Sequence, residues 1–414
     1  MQGVLTTSLD LIVETNATLT LNTPLVDNVV GRDFIVRMGG KATHTLLPAA
    51  CDTLADADAS GYRFRLDVAR DVIVESGASV TVMGKGYNGN GSVAKGPLGY
   101  GKDISFDSDG DGVSDRSMKL YSGGHAGYQA STNLYYKEVY KAGPCYGSMF
   151  EPTSHGSGGK NGTTHGGGVV KIKCARNMTV NGVINADGKE YQDGYGYSAA
   201  GGSVWLDVGG EFSGAGEITA RGGLILYDNA AGGGRIAIYY GSDSFTGTIS
   251  ASAAPYTSHN RSFFAGSGTV LKKAKGGVAY DVVIDNDQYY RTQSFSATYN
   301  KSSPYWANFV KDIWMRSVVT DIPSKDDLDK LDLFKRVRFS VGHLTALNLQ
   351  QNLKIKDLNV TVNTGCYVRL NGYTLRVMDS THKNARGWAG ASVERSTRER
   401  GEIIWGAGFA VTVR

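Results

Sequence analysis

The sequence predicts an all-β fold, a right-handed parallel β-helix (β-solenoid) with one long glycine/tyrosine-rich lateral insertion. Two observations predict it: a strand–glycine–strand phrase recurs along the chain, and glycine is abundant beside many aromatic residues. Of 414 residues, 56 are glycine, 23 tyrosine and only 8 proline. Glycine without a three-residue period excludes collagen, and the aromatic content excludes disorder. In such a chain glycine marks turns between short strands.

The recurring phrase occupies the segments 169–188, 203–223 and 235–254, with a looser copy at 64–86. Each copy begins with alternating apolar residues, passes a glycine turn and resumes with a second short strand. Alternation indicates a strand with one buried face. A unit this short cannot bury that face alone, so stacked copies predict a solenoid. A β-sandwich or a propeller also has alternating strands, but neither needs the same phrase to recur in register.

The phrase divides the chain into four regions. We predict N-terminal coils over 1–83, a Gly/Tyr-rich insertion over 84–168, central coils over 169–277 and C-terminal coils over 278–414.

Glycine thins in the C-terminal region, and short strands follow one another. Asn371-Gly372 predicts a tight turn between two of these strands. The segment 302–334 has a poorer pattern and is predicted to be a lateral loop or a short helix, with Asp326, Asp327 and Asp329 on a solvated face.

An acidic loop in the insertion predicts a calcium site. Carboxylates stand at its first, third, fifth and ninth positions with glycine at the sixth, which is the spacing that wraps oxygens around Ca²⁺. The predicted ligands are Asp107, Asp109, Asp111, the Val113 carbonyl and Asp115. The pattern resembles the calcium loops of thrombospondin type 3 and dockerin repeats. Met118 stands where an EF-hand has its bidentate Glu, so we expect a structural ion in a calcium-rich medium.

The insertion also concentrates tyrosine and histidine. Aromatic faces with polar tips suit sugar rings. The predicted substrate-binding residues are Tyr128, Tyr135, Tyr136 and His125. The alternative interpretation is that these side chains only cover the flank of the solenoid.

A polysaccharide lyase is the enzymatic alternative, because β-elimination needs a base and a group that neutralises a carboxylate. The candidate catalytic residues are His155, His165, Lys160 and Tyr146, and Lys171 is of the same type. Convergence of these side chains in a basic groove would favour an enzyme, whereas scattering along the flank would favour a scaffold.

Composition excludes several other classes. A net charge of +4 with a pI of about 8.6 is too mild for a nucleic-acid binder. No apolar run approaches the ~20 residues of a membrane span. The first sixteen residues lack the features of a signal peptide, so we expect the chain to be a mature region. The sequence allows either two disulfides or buried free thiols for Cys51, Cys145, Cys174 and Cys366. It does not determine the oligomeric state.

Several phrases resemble glycine-rich β-helix modules of large exported, autotransporter-like bacterial surface proteins. They include AAGGGRIAIYYGSDSFTGTISA (230–251), AGSGTVLKKAKGGVAYDVVIDND (265–287) and GEIIWGAGFAVTVR (401–414). The resemblance implies a β-helix that is secreted or displayed at a bacterial cell surface. It also implies an adhesive or scaffold role, with a polysaccharide or cell-surface glycan as partner.

Overall fold

The computed structural model describes most of the strand-forming chain. The described residues are 4–23, 25–51, 57–59, 62–89, 96, 104–106, 116–118, 125–127, 132–133, 138–139, 145–159, 164–190, 198–223, 231–253, 265–287, 319–342, 345–360, 367–379, 382, 401–406 and 409–413.

Short β-strands make up nearly all of the regular structure. Before the insertion lie β1 (Thr6–Thr7), β2 (Leu11–Val13), β3 (Thr18–Thr20), β4 (Asn28–Val30), β5 (Phe34–Val36), β6 (Lys41–Thr43), β7 (Phe64–Val68), β8 (Val72–Val74) and β9 (Ser79–Thr81). The insertion contributes β10 (Ile104–Phe106), β11 (Arg116–Met118), β12 (Thr132–Asn133) and β13 (Glu138–Val139).

The central region continues with β14 (Val169–Cys174), β15 (Met178–Val180), β16 (Val183–Asn185), β17 (Ser203–Val208), β18 (Glu211–Ser213), β19 (Glu217–Thr219), β20 (Arg235–Tyr240), β21 (Ser242–Asp243), β22 (Thr248–Ser250) and β23 (Thr269–Ala274). The C-terminal strands are β24 (Tyr280–Ile284), β25 (Val319–Ile322), β26 (Val337–Val341), β27 (Ala346–Leu349), β28 (Leu353–Ile355), β29 (Asp357–Val360), β30 (Tyr367–Arg369), β31 (Thr374–Val377), β32 (Gly401–Trp405) and β33 (Phe409–Val413). A 3-10 helix, Lys325–Lys330, runs into one α-helical turn, Leu331–Phe334.

Successive strands along the chain belong in turn to different long sheets of mainly parallel strands. The ten-stranded sheet, called the shared sheet here, has the order β1-β4-β7-β14-β17-β20-β23-β24-β26-β29. A second sheet has the order β2-β5-β8-β15-β18-β21, and a third has β3-β6-β9-β16-β19-β22. Strands of one coil therefore pair with those of the next, which is compatible with a β-solenoid. We call the coils from β1 to β23 the first stack.

The register confirms the recurring phrase. Val170 pairs with both Phe64 and Val204, and Val204 pairs with Ile236. The second strand of the phrase is also in register, since Ile184 pairs with Ile218. Each coil nevertheless holds three strands where the phrase predicted two. The middle strand, β15 in one coil, has three residues and no glycine before it, so its alternation is too short to recognise.

A second stack begins where β23 and β24 pair antiparallel. Its strands add β26 and β29 to the shared sheet, and form two further sheets, β25-β27-β30 and β28-β31-β32-β33. The predicted tight turn lies here: Asn371 and Gly372 have φ of 50° and 81° between β30 and β31. Each stack buries its own apolar core. Ile236 and Ile238 belong to the first core, whereas Ala237 and Leu271 belong to the second.

Closely spaced glycines lie at the lateral connections before β14, β17, β20 and β23. The Gly202 amide donates to the Ala186 carbonyl at 2.7 Å, which brings together the two ends of the connection between β16 and β17. A Cβ added at Gly202 would lie 2.0 Å from the Gly168 carbonyl oxygen. The glycine runs before β14 and β20 make the same close approach, so they are coil corners.

Asp327 and three cysteines lie in the interior of the protein. Asp327 is not on a solvated face: it is buried, and its carboxylate accepts hydrogen bonds from Ser148 Oγ and the Met149 amide. Cys145 and Cys174 are buried thiols rather than disulfide partners. Cys51 is buried as well, and Cys366 lies outside the described residues.

Candidate functional site

The outward face of the shared sheet carries a row of charged and aromatic side chains. Arg65, Lys171 and Trp205 pair in register on the adjacent strands β7, β14 and β17. Because neighbouring residues of these strands enter the core, the pleat directs these three outward. Adjacent strands lie about 4.8 Å apart, so the row is closely spaced and rigidly held.

Asp27 bridges two members of this row. It accepts hydrogen bonds from Arg65 Nε at 2.6 Å and Lys171 Nζ at 2.9 Å. Burial by itself raises the pKa of Asp27, but the hydrogen bonds from Lys171 and Arg65 outweigh it and hold that pKa below its usual value. Lys171 Nζ also lies 4.8 Å from the centroid of the half-buried Trp205 ring, within cation–π range.

A second row lies beside the first. Asp67, Lys173, Asp207 and Tyr239 pair in register across four strands. Lys173 and Asp67 form an exposed ion pair at 3.4 Å, and Asp207 lies 2.6 Å from Lys275 Nζ. We call the two rows with Asp27 the outer ladder. It offers an aromatic face beside carboxylate and ammonium groups on a rigid sheet, which is a suitable surface for a hydroxyl-rich polymer.

A segment of the insertion crosses the same face. Residues 145–159, called the strap here, are held by backbone carbonyls that accept from the sheet. Arg235 Nε donates to the Tyr146 carbonyl at 2.9 Å, and Ser203 Oγ donates to the Ser154 carbonyl at 2.6 Å. The strap covers the amino ends of β17 and β20, whereas Lys173 and Asp67 stay exposed.

Two candidate catalytic residues are buried within the strap contact. The Tyr146 hydroxyl donates to the His155 carbonyl at 2.9 Å and lies 2.8 Å from Ser157 Oγ. His155 Nε2 donates to the Tyr62 carbonyl at 2.9 Å. Burial, together with the nearby Arg63 charge, lowers the pKa of His155 well below its usual value. The Tyr146 hydroxyl therefore bonds within the strap, whereas the His155 ring joins the strap to the chain just before β7.

The other two histidines among the predicted site residues are His125 and His165. His125 is buried against the Tyr146 ring, with 4.7 Å between ring centroids, and its Nδ1 donates to the Gly201 carbonyl. Burial and the Arg235 charge lower the pKa of His125 to about 3. His165 is half-buried, and the charges acting on it are those of Lys189 and Lys85. The structure thus gathers His125, Tyr146 and His155 in the strap contact, whereas the charged neighbours of His165 are lysines.

The remaining predicted site residues fall outside the described residues. They are the catalytic candidate Lys160, the tyrosines Tyr128, Tyr135 and Tyr136, and the calcium ligands Asp107, Asp109, Asp111, Val113 and Asp115. The strands on either side of the acidic loop are described: Phe106 at the end of β10 pairs with Arg116 at the start of β11. Among the described residues, no three His, Cys, Asp or Glu side chains group to hold a metal ion.

Sequence reasoning did not identify Trp205 and Asp27 as site residues. The register of the phrase was a usable signal for Trp205, because it aligns this residue with Lys171 and Arg65 on one face. Asp27 precedes a strand of an earlier coil, and only the fold brings it to Lys171.

Comparison with protein-family models, curated proteins and solved structures finds no match to this chain. Within the parts of the chain that the structure describes, no helix is both long and apolar enough to cross a membrane.

Proposed function

We propose that this protein is a right-handed β-solenoid, secreted or displayed at a bacterial cell surface, whose outer ladder contacts carbohydrate in an adhesive or scaffold role. The observation that carries the proposal is the in-register row of Arg65, Lys171 and Trp205, linked by Asp27. Calcium bound by the loop 107–115 has a stabilising role in this proposal. Its support is the loop's spacing and the antiparallel pairing of β10 with β11 around it.

The proposal favours a binding scaffold over a lyase. A base for β-elimination must reach the substrate proton. Tyr146 and His155 are fully buried, and each donates its hydrogen bond to a backbone carbonyl. Burial of these two side chains away from solvent therefore favours a scaffold.

Affinity electrophoresis in gels containing neutral or acidic polysaccharides tests the proposal. We expect at least one polymer to retard the protein. Trp205→Ala should weaken this interaction on the order of tenfold, as loss of a central aromatic contact does. Phe245→Ala is the matched control, because Phe245 is also a half-buried aromatic but stacks on Phe212 away from the outer ladder.

Absence of retardation on every polymer, or equal loss in both variants, contradicts carbohydrate contact at the outer ladder. A rise in ultraviolet absorbance during incubation with an acidic polymer would instead support the lyase, because elimination leaves an unsaturated sugar. We expect a flat trace with and without Ca²⁺.

A further inference from the structure

Two lysines lie side by side where the third sheet passes into the lateral connections. Lys85 follows β9 and Lys189 follows β16 by the same number of residues, and a glycine precedes each. The paired chains continue beyond the strands: the Val82 amide donates to the Asn185 carbonyl at 2.7 Å, and the Gly84 amide donates to the Asp187 carbonyl at 3.0 Å. Lys85 and Lys189 therefore occupy matching positions on adjacent coils.

A third lysine and a close approach complete this cluster. A Cβ added at Gly84 would lie 2.9 Å from Lys189 Cβ, so Lys189 packs directly over the neighbouring coil. Lys41 begins β6, which pairs with β9. Partial burial lowers the pKa of Lys85, and the charges of Lys41 and Lys189 lower it further. Lys41 and Lys189 are thus both within electrostatic reach of Lys85.

Nothing in the described structure neutralises these charges. Among the described residues, Lys41, Lys85 and Lys189 form no ion pair, and only lysines contribute charge at Lys85. The nearby Asp187 is half-buried, and its carboxylate accepts from the Arg221 amide at 2.5 Å. Like charges opposite each other on adjacent strands destabilise a fold. An anion from outside the chain would offset this repulsion.

His165 borders the same cluster. Its carbonyl accepts from the Lys189 amide at 2.9 Å. The ring is half-buried, and its Nδ1 is buried with no hydrogen-bond partner. Partial burial and the charges of Lys189 and Lys85 lower its pKa to about 4, so the ring is neutral near pH 7. A neutral ring beside Lys85 and Lys189 leaves the charges of these two lysines uncompensated. We call Lys41, Lys85, Lys189 and His165 the basic corner.

We propose that the basic corner binds the carboxylate or sulfate groups of an acidic polysaccharide. A polymer with repeated anionic groups can contact lysines on successive coils at once, which a single small anion cannot. The proposal rests on the glycan-contacting function above and specifies the class of glycan.

The test compares two triple variants of the full chain by affinity electrophoresis and isothermal titration. The first is Lys41→Gln/Lys85→Gln/Lys189→Gln. The control, Lys325→Gln/Lys354→Gln/Lys356→Gln, removes the same charge from the second stack. The probes are polygalacturonate, dextran sulfate, neutral dextran and duplex DNA, at low and high salt, with thermal unfolding of each variant as a check on folding.

We expect the wild type to bind an acidic polymer in preference to neutral dextran. The basic-corner variant should bind on the order of tenfold to a hundredfold more weakly, while the control changes little. The difference should shrink at high salt, because screening weakens exposed charge contacts. If the basic-corner variant has a lowered melting temperature, the single substitution Lys189→Gln at an exposed position provides the same comparison. Its loss of binding should be smaller.

Equal loss in the two triple variants overturns the assignment to the basic corner. DNA binding as strong as that of the acidic polysaccharides, with the same dependence on these lysines, overturns the polysaccharide assignment. Binding to neutral dextran alone also overturns the anionic site but leaves the proposed carbohydrate contact standing. Binding to no polysaccharide contradicts both proposals.

Discussion

Leu271 and Val282 lie directly opposite each other in the antiparallel pair that joins the two stacks, and both are buried. They belong to the core on the outward side of the shared sheet, whereas Ile236 belongs to the core on the other side. Two things therefore change from β23 to β24: the strand runs in the opposite direction, and the opposite face of the sheet is buried. The strand order of the shared sheet nevertheless continues past this pair to β26 and β29.

This relationship predicts that Leu271 is a major contributor to the stability of the junction. Leu271→Ala should lower the free energy of unfolding by about 2–5 kcal/mol, because it leaves a cavity between the two stacks. Val283→Ala is the control, since Val283 is 42% exposed on the same strand pair and should cost less than about 1 kcal/mol. Urea unfolding measures both, and similar midpoints for the two variants would contradict a core at the junction.

The coil corners predict a strong difference between two glycines. Gly202→Ala should destabilise the protein by about 3 kcal/mol or more, because the new methyl group would overlap the Gly168 carbonyl. Gly276→Ala should be neutral or slightly stabilising, since nothing lies within 4 Å of the added atom. Thermal unfolding of both variants tests this contrast, and a harmless Gly202→Ala would show that the coils pack less closely.

The buried carboxylate beneath the strap predicts a specific loss. Asp327→Asn should cost about 3 kcal/mol. Ser148 Oγ and the Met149 amide donate to different oxygens of the carboxylate, and in Asn one of these becomes an NH₂ donor. The neutral amide also no longer offsets the buried Arg235 charge. Asp329→Asn removes an exposed carboxylate from the same helix and should change little. Chemical unfolding distinguishes the two, and proteolysis within residues 145–159 should increase only in Asp327→Asn.

The buried histidines predict acid sensitivity. The folded pKa values of His44 and His125 are about 3 and that of His155 is also lowered, chiefly because burial disfavours the charged ring. Between these values and the unfolded value near 6.5, the unfolded chain binds more protons. Stability should therefore fall as the pH drops below about 6.5, by up to about 1.4 kcal/mol per pH unit for each histidine.

Asp187 acts in the opposite sense. Burial raises its pKa to about 6, so the folded state holds the proton and this contribution to stability is lost as the pH rises from about 4 to 6. Three histidines outweigh it, and the net melting temperature should decrease from pH 7 to pH 4.5. A melting temperature that is flat over this range would contradict the neutral buried histidines. His155→Gln should reduce the slope, because it removes one of the three buried rings.

The acidic loop predicts stabilisation by calcium. At 10 mM Ca²⁺, a site with an extracellular-type affinity of about 10⁻⁴–10⁻³ M raises the free energy of unfolding by roughly 1.4–2.7 kcal/mol. EDTA should reverse the rise in melting temperature, and Asp109→Asn/Asp111→Asn should abolish it. The exposed Asp329→Asn variant should respond like the wild type. If Ca²⁺ leaves the melting temperature unchanged in the wild type and in both variants, the calcium site is contradicted.

The coil register was predictable from the sequence because it depends on local alternation. A strand buries every second residue, so the apolar positions of Val170, Val204 and Ile236 align by their spacing along the chain. The requirement for glycine at Gly202 was also predictable, because neighbouring coils approach there too closely for a side chain. The turn at Asn371-Gly372 was equally local, since it requires positive φ at both residues.

Other features depend on contacts between distant parts of the chain. The burial of Asp327 requires the strap to arrive from the insertion, and the Asp27–Lys171 contact joins coils far apart in sequence. The matching positions of Lys85 and Lys189 were present in the repeat, but the insertion separates them in sequence. By itself the sequence determined the alternation, the turns and the stacking repeat, because these depend on neighbouring residues. Only the tertiary structure decided which polar groups are buried, which charges are left without a partner and on which face each core lies, because these depend on long-range packing.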